Sequence, residues 1–562
     1  MPTHATRSTR RLAAALLALV SAGSATAAGG RPRVWAITGA TVVPAPGRKL
    51  EAATVVIRDG LIEAVGTDAR VPPDAEELDG RGRWVYPALI DADSTAGLKS
   101  DTAEGSERSR GGAAASRSAE TAGAVHPLSR MRPETRVRDL LLPFTGEHKR
   151  DAARLRELGF AAVLVVPQRG ILRGSSAAVL VADDRPVAQL ILRDGVATHA
   201  AFERGRFGEG YPTSLMGAIA ALRQVLLDAQ REASWSARYA AHPLGMSRPD
   251  GAPALGALAP ALAKRQPVFF LAERPDDVLA ADRLGREFGL DVVVSASGYE
   301  WEIAERVAAT RRSLILPVAF PDKPDVDEPG AALDVPLKEL RRYVEAAAGP
   351  GRLRAAGVSF ALTLRGLKNT ADFPKNMRKI IDAGLSADDA LAALTTRPAK
   401  LLGLEATLGT LEPGKIANVA IADGPLFADK TKLRHVFVEG TDYEIEVKEK
   451  PKGDPNAVVD PRGEWSVALE LGSQTLQRVW TLAGEPRHYT GTAETQSGTV
   501  TFQAVTLEGN VLTVVFPPRG GQGASEVTVI ISGDTFEGTA EMGSRSAKLR
   551  GTRTAGPKGG NR

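Results

Sequence analysis

The sequence predicts an α/β protein built on a (β/α)8 barrel, with a split β-sandwich domain and a separate all-β domain at the carboxyl end. Three observations predict this class. Short apolar runs alternate with helical patterns in the middle of the chain, strand-rich blocks flank that middle, and a Thr- and Val-rich segment follows a charged linker. Repeated helix-then-buried-strand units indicate a parallel sheet covered by helices, and their number favours a TIM-type barrel over an open sheet.

The amino-terminal residues have the pattern of a signal peptide. Basic residues precede the apolar run 12–20, and small residues follow it up to Ala27. This pattern predicts cleavage after about Ala27 and a periplasmic or secreted protein. Arg10 and Arg11 leave Sec and twin-arginine export both open. No stretch of the sequence is long and apolar enough to predict a transmembrane segment.

Composition excludes several classes of function. The chain contains no Cys, which excludes disulfides, thiolate metal sites and a Cys nucleophile. The 71 basic residues are nearly balanced by 67 acidic ones, giving a net charge of +4. We therefore expect no nucleic-acid partner.

Each domain follows from its own pattern. Residues 1–27 are the signal peptide. β-Branched alternation around the Asp59-Gly60 turn predicts a hairpin, and a second strand-rich block runs from 408 to 446. We assign residues 33–84 and 401–447 to one composite β-sandwich domain.

The barrel domain is assigned to residues 85–400. Its strands are predicted at 161–166, 267–271, 291–295, 313–317 and 358–363, and Ser386 with Asp389 predicts a helix start. Residues 98–125 lack periodicity and predict a long loop. Residues 448–461 form a linker, and short strand patterns over 462–553 predict an antiparallel sandwich or small barrel.

Several segments, taken in order, resemble a known family. Residues 53–66, 78–91, 384–395 and 408–418 are similar to the amino-terminal sandwich, first barrel strand, closing helix and return strand of the amidohydrolase superfamily, in particular its imidazolonepropionase-like members. The resemblance spans roughly residues 33 to 446 and leaves out the final domain. It implies metal-dependent hydrolysis of carbon–nitrogen bonds.

The resemblance also implies a set of metal ligands that this sequence lacks. The family has His-x-His after the first barrel strand, His after the fifth and sixth, and Asp after the eighth. The corresponding residues here are Asp93, Thr95, Leu271, Ser295 and Arg365. Leu cannot bind a metal, and a fixed cation repels one. The site is therefore interpreted as degenerate, with no metal cofactor expected.

The other residues that could carry chemistry are interpreted as structural. His242 is expected in a loop, and His199 at a helix or loop edge. Asp91 is expected to be structural. Ser175 and Ser176 follow a Gly-rich turn, but the sequence indicates no His and carboxylate to activate them as nucleophiles.

Three hypotheses for function stay open. In the first, a non-catalytic barrel binds a small molecule or a partner with Asp93, Glu273 and Arg365 at its mouth; these residues could equally form an ion-pair network that replaces the metal. In the second, unusual ligands hold a divalent metal such as zinc and the protein hydrolyses cyclic amides or dipeptides. In the third, the carboxyl-terminal domain is an interaction module, for which the aromatic candidates are Trp465, Trp480 and Tyr489. A homo-oligomer or a complex with an active paralogue is also expected from the resemblance.

Overall fold

Strands that precede the barrel and strands that follow it combine into one sheet. The structure, a computed structural model, describes residues 34–99, 126, 128, 130–204, 211–326, 330–446, 453–471, 474–486, 488–495, 498–517, 525–542 and 545–556. The predicted signal peptide, most of the predicted 98–125 loop and part of the linker lie outside these residues. The first strands are β1 (Val34–Ala45), β2 (Arg48–Arg58), β3 (Leu61–Gly66), β4 (Glu76–Asp79) and β5 (Trp84–Pro87).

The barrel strands come next in the chain, and three strands after the barrel complete the first sheet. The barrel strands in chain order are β6 (Leu89–Ser94), β7 (Phe160–Val165), β8 (Leu172–Ser175), β9 (Ala177–Leu180), β10 (Ile191–Arg193), β11 (Thr198–Ala201), β12 (Val268–Leu271), β13 (Val292–Ser295), β14 (Ser313–Pro317) and β15 (Phe360–Thr363). They are followed by β16 (Val419–Ala422), β17 (Leu433–Val438) and β18 (Thr441–Glu444). β5 pairs antiparallel with β16, so the order β18-β17-β16-β5-β1-β2-β3 is one continuous sheet with β4 on β1.

The barrel strands are parallel except at the third position. β7 pairs parallel with β6, and β11 through β15 pair parallel in succession. Between them, residues 172–180 run in the opposite direction, with β8 antiparallel to β11 and β9 antiparallel to β7. The expectation of uniformly parallel strands is therefore wrong at this position. Hydrophobic periodicity identifies a buried strand but does not encode the direction of its neighbour.

Helices cover the outside of the barrel. They are α1 (Val137–Leu140), α2 (Lys149–Glu157), α3 (Val187–Leu190), α4 (Leu215–Ala241), α5 (Pro253–Gly256), α6 (Ala259–Leu262), α7 (Asp277–Phe288), α8 (Ala304–Thr310), α9 (Leu337–Glu345), α10 (Gly349–Ala355), α11 (Phe373–Asp382), α12 (Ala387–Leu394) and α13 (Thr396–Leu401). The Ser386 hydroxyl accepts a hydrogen bond from the Asp389 amide at 3.1 Å, which confirms the predicted start of α12. Among the helices that the structure describes, none is long and apolar enough to cross a membrane.

Two apolar layers hold the barrel together. The interior layer is filled by small and branched side chains, with one large ring, from Phe269. The outer layer lies between the strands and the helices and includes Phe160, Phe270 and Phe360. Because the lower interior is packed with side chains, polar groups are accommodated near the carboxyl ends of the strands.

The carboxyl-terminal domain is a closed antiparallel barrel. Its strands are β19 (Gly463–Leu471), β20 (Gln474–Glu485), β21 (His488–Thr495), β22 (Gly498–Thr501), β23 (Ala504–Glu508), β24 (Val511–Phe516), β25 (Ser525–Ser532), β26 (Thr535–Met542) and β27 (Arg545–Ala555). Pairing of β20 with β21 closes the ring, and β22 pairs outside it with β21. Trp465 and Trp480 are buried in this core, and Tyr489 packs partly against it. The two tryptophans are thus core residues and not exposed binding aromatics.

Candidate functional site

The end of the first barrel strand carries two buried carboxyl groups. Asp91 and Asp93 lie on β6 and are 1% and 7% exposed. The Asp93 amide donates to Asp91 Oδ1 at 3.2 Å. The Thr363 hydroxyl on β15 donates to the Asp93 main-chain oxygen at 2.9 Å, so the first and eighth strands are joined at this level.

Asp93 is held by residues from two other strands. The Ser295 hydroxyl at the end of β13 donates to Asp93 Oδ2. Arg365 Nε lies 2.9 Å from the same oxygen. The Nε–H makes no hydrogen bond of good angle, so this contact is mainly ionic. The sequence-predicted residues Asp93, Ser295 and Arg365 therefore meet in one cluster.

Arg365 is fixed in place by the backbone around it. Its amide donates to the Thr363 hydroxyl at 3.1 Å, and its guanidinium donates to the main-chain oxygen of Ala296 after β13. Its side chain is 29% exposed, so it forms part of the floor of the mouth. The guanidinium thus bridges the first, sixth and eighth strand ends, where the family pattern has metal ligands.

Burial controls the ionisation of the two carboxyl groups. Burial, with a smaller contribution from the Asp93 charge, raises the pKa of Asp91 to about 7. Burial also raises the pKa of Asp93, but the charges of Arg365 and Arg173 and the Ser295 hydrogen bond oppose this effect. Since two adjacent carboxylates repel each other, we assign the negative charge at neutral pH to Asp93, which has the cationic partner.

A second polar cluster is centred on Arg173 of the antiparallel strand β8. Arg173 on β8 is 10% exposed at its side chain, and it donates through Nε to the Gly170 main-chain oxygen at 2.9 Å and through Nη2 to Glu203 Oε2 at 3.2 Å. Arg130 Nη1 donates to the other oxygen of Glu203 at 2.8 Å. The charge of Arg173 also acts on Asp93, which places the two clusters side by side. The sequence prediction missed Arg173 because it lies in a Gly-rich segment interpreted as a turn.

His199 lies inside the barrel, and the expectation that it lies at a helix or loop edge is wrong. It is in β11, is 8% exposed, and packs edge-on against Phe269. Burial, followed by the Arg173 charge, lowers its pKa to about 3, so the imidazole is neutral at physiological pH. Its Nε2 atom is buried without a hydrogen-bond partner in the described residues. The sequence signal for this strand was weak, because three of residues 197–201 are alanine, which has a low strand propensity.

The remaining sequence-predicted positions do not join either cluster. Thr95 is exposed just beyond β6, and Glu273 is exposed after β12. The Glu273 amide donates to Asp277 Oδ2 at 3.1 Å, and its carboxylate acts on Arg173 only through longer-range attraction. Leu271 is half-buried at the end of β12 and adds an apolar wall.

His242 and Ser176 lie outside both polar clusters. His242 is exposed directly after α4, as expected for a loop residue. Ser176 is buried and donates to the Ala197 main-chain oxygen at 3.4 Å, which is a structural contact between the third and fourth strands.

The side chains at the strand ends do not fit a divalent metal. A metal site needs several carboxylate or imidazole donors that converge on one point. Within the part of the chain that the structure describes, no three His, Asp or Glu side chains converge in this way. Asp93 is already paired with Arg365 and Ser295, and Leu271 offers no donor.

Comparisons with known proteins agree with this architecture. A family model described as the amidohydrolase family matches residues 302–455. The imidazolonepropionase of Maricaulis maris (strain MCS10) is 28% identical over 393 residues, covering 66% of this chain and 88% of that protein. The crystal structure of an amidohydrolase from Thermotoga maritima MSB8 has a TM-score of 0.57 at 22% identity, covering 73% of this chain and all of that one, and supports the fold. These findings support the classification of the chain in the amidohydrolase superfamily.

Proposed function

We propose that this chain is an exported, metal-free amidohydrolase homologue that binds a small molecule at its barrel mouth and does not hydrolyse it. The observation that carries the proposal is the Arg365 guanidinium 2.9 Å from Asp93 Oδ2. The same carboxylate oxygen also accepts from Ser295. A cation supplied by the chain itself thus compensates the carboxylate that stands first in the family's ligand pattern.

The charge of Arg365 works against a metal in two ways. At about 4 Å and an effective dielectric constant of about 20, a monovalent and a divalent cation repel by roughly 8 kcal/mol. Binding a metal through Asp93 would also remove the partner of a guanidinium that cannot deprotonate. Because Arg365 is anchored to Ala296 and Thr363, moving it aside would break those contacts as well.

The hypothesis of an active hydrolase with unusual ligands gains no support from the geometry. Its ligands would be Asp91 and Asp93, with Glu273 as a candidate third. Asp91 is 1% exposed and Glu273 is exposed after β12. Without a metal, none of these groups is placed to polarise a carbonyl and activate water together. Binding is the function that remains for the polar groups of the mouth.

Export is the second part of the proposal. It rests on the basic, apolar and small-residue pattern of residues 1–27 and on the absence of Cys from the sequence. Expression of the full chain in a bacterial host with an oxidising periplasm tests it. Fractionation should recover a periplasmic or secreted protein whose first residue, by mass spectrometry, is Ala28; a cytoplasmic protein that retains residue 1 contradicts export.

Metal analysis of the mature chain tests the absence of catalysis. Residues 28–562 should be prepared without chelator, dialysed against zinc or manganese, and analysed by elemental mass spectrometry alongside an assay for hydrolysis of cyclic amides and dipeptides. We expect substoichiometric metal and no hydrolysis above background. The matched variant Arg365→Asp removes the cation and supplies a carboxylate, and it should bind more metal than the parent. Stoichiometric metal in the parent, with hydrolysis that a chelator abolishes, would overturn the proposal.

A further inference from the structure

Helix α9 is attached to the barrel by its polar side. Arg342 donates to both oxygens of the Glu302 carboxylate at 2.6 and 3.1 Å, and its guanidinium lies over the ring of Tyr299, 3.9 Å from the centroid. The Glu345 carboxylate accepts from Arg352 at 2.5 Å. Because Tyr299 and Glu302 follow the carboxyl end of β13, α9 lies at the rim of the barrel mouth.

The apolar side of the same helix faces outward. Leu337 is 71% exposed, Val344 is 75% exposed, and Leu333, in the turn before the helix, is 89% exposed. No residue of α9 is buried. At 100° per residue, Arg342 lies about 140° from Leu337 and about 160° from Val344 around the helix axis. The orientation is therefore the reverse of an ordinary surface helix, whose apolar side faces the core. Such a patch marks an interaction surface.

The spacing of the apolar residues favours another helix as the partner. Leu337, Leu340 and Val344 are three and four residues apart, the spacing of the a and d positions in helices that pack side by side. The exposed charges around them are two of each sign, from Asp334, Lys338, Glu339 and Arg341. This balance does not favour an anionic membrane or a nucleic acid.

The apolar residues of α9 are complementary to a second copy in the antiparallel direction. In that register, Leu337 packs against Leu340 of the second copy, and Leu340 against Leu337 of the second copy. Val344 then lies next to Leu333 of the second copy, since both are displaced outward from the centre by similar distances. The most exposed apolar side chains of the patch are thus covered together.

The charges of α9 fit the same arrangement. Asp334 precedes the helix, and within the described residues it makes no ion pair. Arg341 is 68% exposed and contacts only Glu345, at 3.6 Å. The antiparallel register brings Asp334 near Arg341 of the second copy, and twofold symmetry repeats this pair. Opposite charges therefore meet on both sides of the symmetry axis.

We propose that α9 pairs antiparallel with α9 of a second copy of this chain and forms a twofold dimer at the rim of the barrel mouth. The contact is small, because a helix of nine residues and the turn before it supply less than the about 800 Å² per partner of a standard interface. We therefore expect a reversible dimer with a Kd in the micromolar range.

Analytical ultracentrifugation of residues 28–562 over a micromolar concentration series tests the dimer. Leu337→Glu should weaken self-association by at least about tenfold, because the substitution occurs twice in each interface. Leu337 is exposed in the monomer, so the thermal transition of the variant should match that of the parent. The matched control is Leu244→Glu, at a 95% exposed leucine after α4, and it should leave the dimer unchanged.

Charge reversal tests the antiparallel register. Arg341→Glu places a carboxylate opposite Asp334 of the second copy, and Asp334→Arg places two guanidiniums together. Each single variant should weaken the dimer by a few-fold or more. The double variant restores opposite charges across the interface and should recover most of the affinity. A different partner surface would not give this recovery, because the two residues would then not face each other.

The outcomes are distinct. A parent chain that is still monomeric at about 200 μM overturns the proposal. A dimer that survives Leu337→Glu, or a double charge reversal that stays as weak as the single ones, also overturns it. Cosedimentation of a monomeric parent with vesicles of phosphatidylethanolamine and phosphatidylglycerol, abolished by Leu337→Glu, would assign the face to a membrane and contradict the dimer.

Discussion

Replacing Asp91 by Asn tests whether burial at the end of the first barrel strand raises the pKa of the Asp91 carboxyl group. The pKa of Asp91 is raised to about 7 from an ordinary value of 3.8, chiefly by burial. The folded state therefore holds this proton more tightly than the unfolded chain. The stabilisation that results is complete below about pH 3.8 and is lost as the pH rises to about 7.

The size of the effect follows from the same two pKa values. At 1.36 kcal/mol for each tenfold change in proton affinity, the difference between about 7 and 3.8 corresponds to a loss of up to about 4 kcal/mol of unfolding free energy between pH 4 and 8. Asp91→Asn is uncharged at every pH and keeps the shape of the side chain. The unfolding free energy of the variant, relative to that of the parent, should therefore increase as the pH rises, by up to about 4 kcal/mol over this range.

Differential scanning calorimetry of residues 28–562 from pH 4.5 to 8.5 measures this gain. Asp291→Asn, an exposed carboxyl group just before β13, is the matched control and should run parallel to the parent. The transition of the carboxyl-terminal barrel, which lacks both residues, should not move. If the difference between Asp91→Asn and the parent stays constant with pH, Asp91 is ionised throughout and the assignment of the negative charge to Asp93 is wrong.

Three further substitutions test neighbouring contacts. His199→Gln removes a group whose pKa is lowered to about 3, which makes the parent more stable as the pH rises from 5 to 6.5. The unfolding free energy of the variant, relative to that of the parent, should therefore fall by about 2 kcal/mol over this rise in calorimetry; a flat difference contradicts burial of a neutral imidazole. Arg365→Ala leaves the Asp93 carboxylate without its cation and should cost about 3 kcal/mol in urea unfolding at pH 8, and less at pH 5 as protonation relieves the charge. Gly174→Ala should cost about 2 kcal/mol or more, since φ is +106° and a Cβ would lie 2.1 Å from the Thr135 main-chain oxygen; a neutral effect would show that this turn can rearrange.

The sequence was sufficient to predict most of the barrel because its strands are buried runs of β-branched and aromatic residues. The strands predicted at 161–166, 267–271 and 313–317 coincide with β7, β12 and β14 to within a residue or two at the ends. Burial on both faces leaves little choice of residue in such strands. The direction of residues 172–180 was missed, because strand direction depends on the length and course of connections that carry no periodic pattern.

The sequence could predict which site residues lie together only where the order of the strands determines which strand ends lie at the same level. Residues that end the parallel strands of a barrel lie at the same level, and Asp93, Ser295 and Arg365, which the resemblance aligns with ligand positions, contact one another in the structure. Glu273 ends a strand too, but its backbone is drawn to Asp277 and its side chain stays exposed. Such local capping contacts decide side-chain direction, and strand order alone does not determine them.

The energetics of the mouth argue for a ligand and against a purely structural network. A buried ion pair such as Arg365 with Asp93 is often no more stabilising than apolar side chains of similar volume. An unsatisfied imidazole such as His199 Nε2 is a net cost. If the mouth had only to close the barrel, leucine and valine would do so at lower free energy than Arg173, His199 and Arg365.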